Sequence, residues 1–281
     1  MAVKKSANTV FNESKRSIQK QYNDSLEFAL KKNKKYFEKV KAVQNGKIKP
    51  PTSFRTDAQI EAWKRGYLNR YAKKSKVVDG IVEEMQRAGV KCRRSVLDMM
   101  KKTYGIESES AISSLGAQKI LKAKTSAQAE ILLNRKMSVF DKGALKNLEN
   151  ATSAQKRLRR EFASGILNGD DDKKMIRRIR RVTGMTNREA TRVLETERTR
   201  VAGMAQQGAA DEYFEKTKKK PKKRWICSFH NSRDSHVALH GVVVDFDKEF
   251  APNLRYPGDE NAPPEEVINC RCRMEVFVDG E

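Results

Sequence analysis

The side chains best suited to bind a metal are concentrated at the end of the 281-residue chain. All three histidines and three of the four cysteines lie beyond residue 226: Cys227, His230, His236, His240, Cys270 and Cys272. Thiolate sulfur and imidazole nitrogen are the ligands of structural zinc sites, which hold together domains too small to sustain their own core. The composition therefore predicts one Zn²⁺ bound by Cys227, His236, Cys270 and Cys272, with His240 as the alternative fourth ligand.

Two other states of these cysteines also fit the sequence. Cys270 and Cys272 are separated by one residue, whereas about two to four residues separate the paired cysteines of common zinc sites. The first alternative is that the thiols only pack, beside hydrogen-bonded imidazoles. The second is a disulfide between Cys227 and one of the pair, which synthesis in a reducing cytoplasm disfavours.

The same part of the chain offers an enzymatic alternative. The groups of a hydrolytic or nuclease site are present, with Cys270 as nucleophile or metal ligand beside His236, His240, Arg233 and Glu197. The sequence contains no GxSxG motif, no HExxH motif and no phosphate-binding loop. We therefore predict that the protein is not an enzyme and has no catalytic residues, with a hydrolase or nuclease as the alternative.

Glu197 lies on the apolar stripe of a predicted helix, between Leu194 and Val201. We predict that its carboxylate reaches water at the edge of the stripe. The alternative is a buried carboxylate paired with an Arg or His of the C-terminal segment, because an unpaired buried charge costs several kcal/mol.

Positive charge is distributed unevenly along the chain, whose formal net charge is +23 at pH 7. Residues 1–150 carry 33 basic and 15 acidic side chains, residues 151–224 carry 21 and 10, and residues 225–281 carry 5 and 11. Clustered Lys and Arg are sufficient to neutralise phosphates, and aromatic residues are only 7% of the chain. This pattern predicts non-specific contact with double-stranded DNA through the basic part; the alternative is that the lysines only keep a helical array soluble.

A dense basic run, KTKKKPKKR, occupies residues 216–224. Such closely spaced like charges repel one another, which predicts a solvated linker over residues 217–224. The run also supplies candidate nucleic-acid contacts: Lys216, Lys218, Lys219, Lys220, Lys222, Lys223 and Arg224.

The region 1–150 has the apolar periodicity of amphipathic helices with narrow apolar faces. One long helix is predicted over Val10–Val40, ending near Asn45 and Gly46. A second helical region is predicted over Asp57–Tyr104, with Ser75, Gly80, Gly89 and Gly105 as division points, and a third over Gly116–Glu149. Together they predict an elongated, basic helical N-terminal body.

The region 151–216 predicts three short helices. The first ends at Asn168 and Gly169, and the second at Gly184. Thr186 and Glu189 have the spacing of a capping box, which predicts that the third helix begins there.

Beyond residue 224 the apolar pattern changes to one typical of strands. Three short strands are predicted, over Trp225–Phe229, Gly241–Phe246 and Met274–Val278, with an irregular loop over Asn253–Pro264. The predicted fold is therefore mainly α, with a small α+β C-terminal domain over residues 225–281. No run of about 18 apolar residues and no signal peptide is present, which predicts a soluble, cytoplasmically made protein with no membrane partner.

Several short motifs occur in order after the basic run. They are Trp225, then the segments 232–236 (SRDSH), 239–241 (LHG), 256–259 (YPGD) and 268–272 (INCRC), with Glu266 before the last. Together with the preceding helices, this order resembles the Mu F-like phage head morphogenesis (minor head) family over about Ala154–Val278. The motif positions are Trp225, Arg233, His236, Gly241, Asn269, Arg271 and Glu197.

The resemblance implies a minor head (minor capsid) protein, and membership of the family does not by itself imply an enzymatic activity. Members are low-copy components of the procapsid near the portal, and act in head assembly and in DNA packaging or ejection. The implied partners are the portal protein, the major capsid protein or both, and double-stranded phage DNA. The implied location is the inside of the virion head, after assembly in the host cytoplasm.

Overall fold

A computed structural model describes residues 5–136 and 139–278. The described chain is mainly helical with one small sheet near its C-terminal end, which confirms the predicted fold class. Within these ranges the helices are α1 (Ala7–Lys32), α2 (Lys34–Gln44), α3 (Asp57–Ser75), α4 (Val77–Ser114), α5 (Ser126–Lys136), α6 (Val139–Asn150), α7 (Thr152–Leu167), α8 (Asp172–Thr217), α9 (Asp234–Ala238) and α10 (Pro264–Val267). Three short stretches lie outside the described residues. They are residues 137–138 in the third predicted helical region, the start of the predicted region 1–150 and the end of the predicted region 225–281.

The sheet contains the three strands β1 (Lys222–Ile226), β2 (Val243–Asp245) and β3 (Arg273–Phe277). They are antiparallel in the order β2-β1-β3, so the first strand in sequence lies at the centre. Lys223 and Trp225 of β1 are buried, as are Met274 and Val276 opposite them on β3. The prediction of three short strands is confirmed, with β1 beginning three residues earlier than expected.

The chain forms two compact units, each assembled from separate segments. One unit comprises Met1–Arg16, Arg94–Leu145 and Thr191–Glu281, and the other comprises Ser17–Arg93 and Lys146–Ala190. The predicted sequence boundaries at residues 150, 216 and 224 do not coincide with the boundaries of these units. All the metal-ligand candidates and the basic run belong to the first unit.

The predicted helix over Val10–Val40 is two helices, with the break at Asn33. The Asn33 side chain donates to the carbonyl oxygen of Ala29 at 2.8 Å, which caps the end of α1 locally. The predicted end of this region is confirmed, because α2 stops at Gln44 and Gly46 follows with a φ of 69°. In the second unit, Tyr36 of α2 packs against Phe162 of α7 with ring centroids 5.9 Å apart.

The second predicted helical region divides at Ser75, as expected, and at no further position. Lys76 adopts a left-handed conformation with a φ of 50°, and α4 then continues through all three glycines that were candidate division points. Gly89 is needed for packing, because a Cβ there would lie 1.8 Å from the carbonyl oxygen of Leu148. In the third region, helix begins only at Ser126.

The predicted three-helix segment contains two helices, α7 and α8. The first predicted end is confirmed, since α7 stops at Leu167 and Gly169 has a φ of 66°. The predicted break at Gly184 and the capping box at Thr186 are wrong. Thr186 instead donates its hydroxyl to the carbonyl oxygen of Val182 at 3.0 Å, inside a continuous helix. A glycine inside a helix costs about 1 kcal/mol of stability relative to alanine. The burial of Val182 and its apolar neighbours on the same helix face stabilises the helix by more than this.

Candidate metal centre

The turn that carries Cys270 and Cys272 is held against α8. Asn269 donates its backbone N–H to the hydroxyl of Thr196 at 2.9 Å, and Thr199 donates its hydroxyl to the carbonyl oxygen of Cys270 at 2.6 Å. Asn269 has a φ of 61°, a left-handed conformation that Asn tolerates better than most residues. Two threonines one turn apart on α8 therefore fix where both thiols lie.

His236 faces these two thiols. Its Nδ1 lies 3.5 Å from Sγ of Cys270 and 3.6 Å from Sγ of Cys272. The three ligand atoms lie within 4.8 Å of one another, and all three residues are buried. Helix α9 supplies the histidine and the turn before β3 supplies the thiols, so residues more than 30 positions apart converge on one point.

The opposite side of the His236 ring faces a carboxylate. Nε2 lies 2.8 Å from Oε2 of Glu266 but is not aligned for a hydrogen bond, and the same oxygen accepts a hydrogen bond from the Ser235 hydroxyl at 3.2 Å. The Trp225 ring meets the imidazole edge to face, with centroids 5.1 Å apart. Arg233 donates to the carbonyl oxygen of Ile268 at 2.6 Å and ties the start of α9 to the cysteine-bearing segment. The imidazole thus lies between the two thiols, the Trp225 ring and the Glu266 carboxylate.

The two thiols differ in their tendency to ionise. The hydrogen bond from Cys272 lowers the pKa of Cys270 below its usual range despite burial, and the nearby positive charge of Arg233 acts in the same direction. The same hydrogen bond, together with burial, raises the pKa of Cys272 to about 12. The pKa of each thiol thus depends on the other, and the two groups form one coupled pair.

The structure brings together three of the four predicted ligands. Cys227 is buried but is not part of the close group; its Sγ accepts the backbone N–H of Phe229 at 3.4 Å. His240, the alternative ligand, accepts the backbone N–H of Cys227 through Nδ1 at 3.2 Å and is exposed. All four cysteines are free thiols, so the disulfide alternative is not the state of this structure.

The groups of the predicted hydrolytic alternative make their contacts with different partners. Arg233 and His240 are held by backbone groups, and Glu197 pairs with Arg200. His236 and Cys270 do meet. Arg233, His240 and Glu197 are each held by a separate structural partner.

Glu197 is buried with 2% of its surface exposed, so the prediction of an exposed carboxylate is wrong. The alternative is correct in its burial and in an Arg partner, and that partner is Arg200 of the same helix. Arg200 was not among the predicted site residues. Its spacing of three from Glu197 was the available signal, because residues at i and i+3 are neighbours on a helix.

The YPGD segment packs directly on the Arg200 turn of α8. Gly258 has a φ of 80°, and a Cβ there would lie 2.7 Å from Cα of Arg200. A Cβ on Gly203 would lie 2.7 Å from the carbonyl oxygen of Pro257. Asp259 closes the turn by accepting the backbone N–H groups of Arg255 and Asn261, both at 2.9 Å. The motif is therefore a close helix-to-loop contact.

The remaining motif residues are also structural. Trp225 is fully buried, and its carbonyl oxygen accepts the backbone N–H of Gly241 at 2.8 Å. Gly241 has a φ of 80° in the turn before β2. Arg271 pairs with Glu195 of α8 at 2.9 Å, which adds a third link between the cysteine turn and that helix.

The basic run is not a linker over its whole length. Lys222, Lys223 and Arg224 belong to β1, and Lys223 is fully buried. Its ammonium donates to Oε1 of Gln207 at 2.9 Å and to the carbonyl oxygen of Arg255 at 2.7 Å. Burial lowers the pKa of Lys223 to about 8. The prediction that Lys223 contacts nucleic acid is therefore wrong, because its ammonium group faces the interior.

The other cations of the run remain accessible. Lys222 is half-buried, and the exposed members are Lys216, Lys218, Lys219, Lys220 and Arg224. Lys216 is partly engaged, since it lies 3.2 Å from a carboxylate oxygen of Glu212. No helix among the described residues is both long enough and apolar enough to cross a membrane.

Comparison with known proteins gives one family and one curated relative. Residues 156–275 match the family model described as phage Mu protein F like protein, which confirms the resemblance over this segment. The chain is also 29% identical over 166 residues to NAD(+)–arginine ADP-ribosyltransferase EFV of Enterococcus faecalis. That match covers 51% of this chain and 33% of the relative, so the chain spans about a third of that protein's length. No solved structure matches.

Proposed function

We propose that this chain, whose residues 156–275 match the phage Mu protein F like family model, is a minor head protein of a phage. It is a low-copy component of the procapsid and virion head, placed near the portal. It acts in head assembly and in DNA packaging or ejection. Its partners are the portal protein, the major capsid protein or both, and double-stranded phage DNA.

The family match carries this proposal, because it spans the motif residues that build the C-terminal scaffold. Thr196 and Thr199 hold the cysteine turn, and Gly258 fits against Arg200. These contacts fix the C-terminal segment rigidly on α8. A rigid module of this kind is suited to docking on another capsid component.

Contact with DNA is supported by charge. Basic side chains outnumber acidic ones by more than two to one in residues 1–150 and in residues 151–224. Exposed Lys218, Lys219 and Lys220 lie in a short segment between α8 and β1. Exposed cations contact phosphates without reading base sequence, which fits a protein that handles a whole genome.

The proposal is of a structural protein rather than an enzyme. The curated relative is named as an arginine ADP-ribosyltransferase, but two thirds of its length lies outside the shared segment. We therefore expect no hydrolysis of NAD⁺ and no ADP-ribosylation of an arginine acceptor by the purified chain. The hydrolase alternative has no specific observation in its favour, because Arg233, His240 and Glu197 are each held by a separate structural partner.

The deciding experiment is to locate the chain in phage heads. Heads purified from the phage that encodes it should contain the chain in a small, fixed ratio to the major capsid protein, by quantitative mass spectrometry. Cryo-electron microscopy without imposed icosahedral symmetry should place it at the portal vertex. Heads that assemble and package DNA normally without the chain would contradict the proposal.

A further inference from the structure

We propose that the C-terminal segment binds one Zn²⁺ through Nδ1 of His236 and the thiolates of Cys270, Cys272 and Cys227. The ion has a structural role, because it links α9, the end of β1 and the turn before β3. This inference stands on the geometry of the side chains and is independent of the proposed function.

The distances from His236 Nδ1 to the two thiol sulfurs are those of a tetrahedral zinc site. Zinc lies about 2.0 to 2.1 Å from imidazole nitrogen and about 2.3 Å from thiolate sulfur, so a tetrahedral angle separates nitrogen from sulfur by about 3.6 Å. Nδ1 of His236 lies 3.5 Å from Sγ of Cys270 and 3.6 Å from Sγ of Cys272. Both sulfurs thus lie where a shared zinc ion would hold them.

Glu266 lies where a zinc-binding histidine normally has its outer partner. Histidines that bind metal through one ring nitrogen present the other N–H to a carboxylate, carbonyl or water, which fixes the tautomer and the ring orientation. Oε2 of Glu266 lies 2.8 Å from Nε2 of His236, on the far side of the ring from the thiols. Nε2 has no hydrogen-bond partner among the described residues, and we expect zinc binding at Nδ1 to place the proton on Nε2 and to align it with Glu266.

Cys227 is the remaining buried thiol of this segment. It lies immediately after β1 and is 4% exposed. In the antiparallel register of β1 and β3, Ile226 is opposite Arg273, so Cys227 and Cys272 lie at the same end of the strand pair. Cys227 is outside the close group of three ligand atoms, and we expect zinc to recruit it as the fourth ligand, because a closed structural site has four. Three thiolates and one imidazole select zinc over the oxygen-preferring Mg²⁺ and Ca²⁺.

The size of the module explains why a metal would be useful. The sheet has three strands of three to five residues, and much of residues 227–272 is loop. Small modules with limited apolar burial commonly depend on a metal for stability. The proposed ligands join the two ends of this segment, next to the β1 and β3 pairing.

The test begins with the metal content of the full chain, purified from cells supplied with zinc and then washed with a weak chelator. Zinc measured by plasma mass spectrometry should be close to one equivalent per chain. Replacement by Co²⁺ should give the intense visible absorption of tetrahedral cobalt and a thiolate-to-cobalt charge-transfer band. X-ray absorption should count three sulfur ligands and one nitrogen ligand. A folded native chain with zinc far below one equivalent would overturn the proposal.

Matched variants distinguish the proposed zinc ligands from similar residues that do not bind zinc. Cys270→Ser and His236→Gln should lose zinc, whereas Cys92→Ser, a buried free thiol in the other unit, and His240→Gln should keep it. Glu266→Gln leaves every ligand in place and should weaken zinc binding about 10- to 100-fold. Because this variant should fold even if a ligand variant does not, an unchanged affinity in Glu266→Gln would contradict the assigned histidine geometry.

The fourth ligand is tested separately. Cys227→Ser should reduce the sulfur count in the X-ray absorption spectrum from three to two and weaken the charge-transfer band of the cobalt form. An unchanged spectrum in this variant would overturn the assignment of Cys227. Zinc retained in full by His236→Gln would overturn the site as a whole, because the remaining thiols would then be binding metal in some other arrangement.

Discussion

Glu197 and Arg200 form a buried ion pair one turn apart on α8, beneath the YPGD loop. Removing one member of a buried pair leaves the other charge in a poorly solvated place, which costs about 3 to 5 kcal/mol. We therefore expect Glu197→Gln to lower the free energy of unfolding by about that amount, as measured by urea denaturation.

The matched control for this pair is Glu249→Gln, because Glu249 is exposed and lies outside α8. It should change the free energy of unfolding by less than about 0.5 kcal/mol. A double substitution, Glu197→Leu with Arg200→Met, should recover part of the lost stability, since both charges are then absent. Equal stabilities for Glu197→Gln and Glu249→Gln would contradict the burial of this pair.

Gly258 and Gly241 provide a test of the contact between the YPGD loop and α8. Both have a φ of 80°, but a Cβ on Gly258 would collide with the backbone of Arg200, whereas a Cβ on Gly241 would meet nothing within 4 Å. Gly241→Ala should cost only the backbone strain, about 1 to 2 kcal/mol. Gly258→Ala should cost about 2 kcal/mol more, measured by thermal and urea unfolding. Similar losses for the two variants would mean that the loop can move away from α8.

The buried ammonium of Lys223 makes stability depend on pH above neutrality. Burial lowers its pKa from 10.5 to about 8; Arg255 acts in the same direction, and the carboxylates of Asp211, Asp259 and Asp247 oppose it. Between about pH 8 and pH 10.5 the folded chain holds a neutral lysine while the unfolded chain still binds the proton. Unfolding then takes up protons, so this residue's contribution to stability becomes more favourable as the pH rises.

The measurement is the difference in free energy of unfolding between the native chain and Lys223→Met, which lacks the titrating group. This difference should move in favour of the native chain by about 1 to 3 kcal/mol from pH 7.5 to pH 10.5. Comparison of the two chains removes the effect of other groups that titrate over the same range. A difference that stays constant with pH would show that the Lys223 ammonium is solvated.

Sequence patterns identified the elements whose signals are local. The three strands followed from β-branched and aromatic runs, and the end of α7 followed from Asn168 and Gly169. The convergence of His236 with Cys270 and Cys272 could be anticipated from ligand chemistry, because these residue types are scarce elsewhere in the chain.

The features that sequence reasoning missed depend on contacts between distant segments. A glycine such as Gly184 is typical of a helix end, but the burial of residues on both sides of it keeps α8 continuous. Lys223 sits in a run of solvated lysines, and only its position at the centre of the sheet buries it. The Arg200 partner of Glu197 was within local reach, but its burial depends on a loop that begins more than 50 residues later.

DNA binding is expected to be independent of base sequence and strongly dependent on salt. Two unrelated duplexes of equal length should bind with equal affinity, and the logarithm of the binding constant should fall linearly with the logarithm of salt concentration. The substitution of Lys218, Lys219 and Lys220 by Gln should weaken binding and reduce that slope by about 2 to 3, since each phosphate contact contributes about 0.9.

The control for the DNA measurement is Lys248→Gln, an exposed lysine in the acidic C-terminal segment, which should leave the slope unchanged. Deletion of residues 225–281 is a poor control, because it would remove most of the sheet and uncover Thr196 and Thr199 on α8. Affinity that does not change between low and high salt would contradict a phosphate-based contact.

The continuity of α8 is tested at Gly184. A glycine that ends a helix adopts a left-handed conformation, so alanine there is destabilising. Gly184 instead lies within a 46-residue helix, is not among the residues with positive φ, and has open space where a Cβ would lie. Gly184→Ala should therefore raise the free energy of unfolding by about 0.5 to 1 kcal/mol, because alanine loses less backbone entropy in a helix. Gly169→Ala, at a true helix end with a φ of 66°, should lower it in the same urea titration. If both substitutions destabilise the protein, the helix is broken at Gly184, as the sequence alone predicts, and α8 is not continuous.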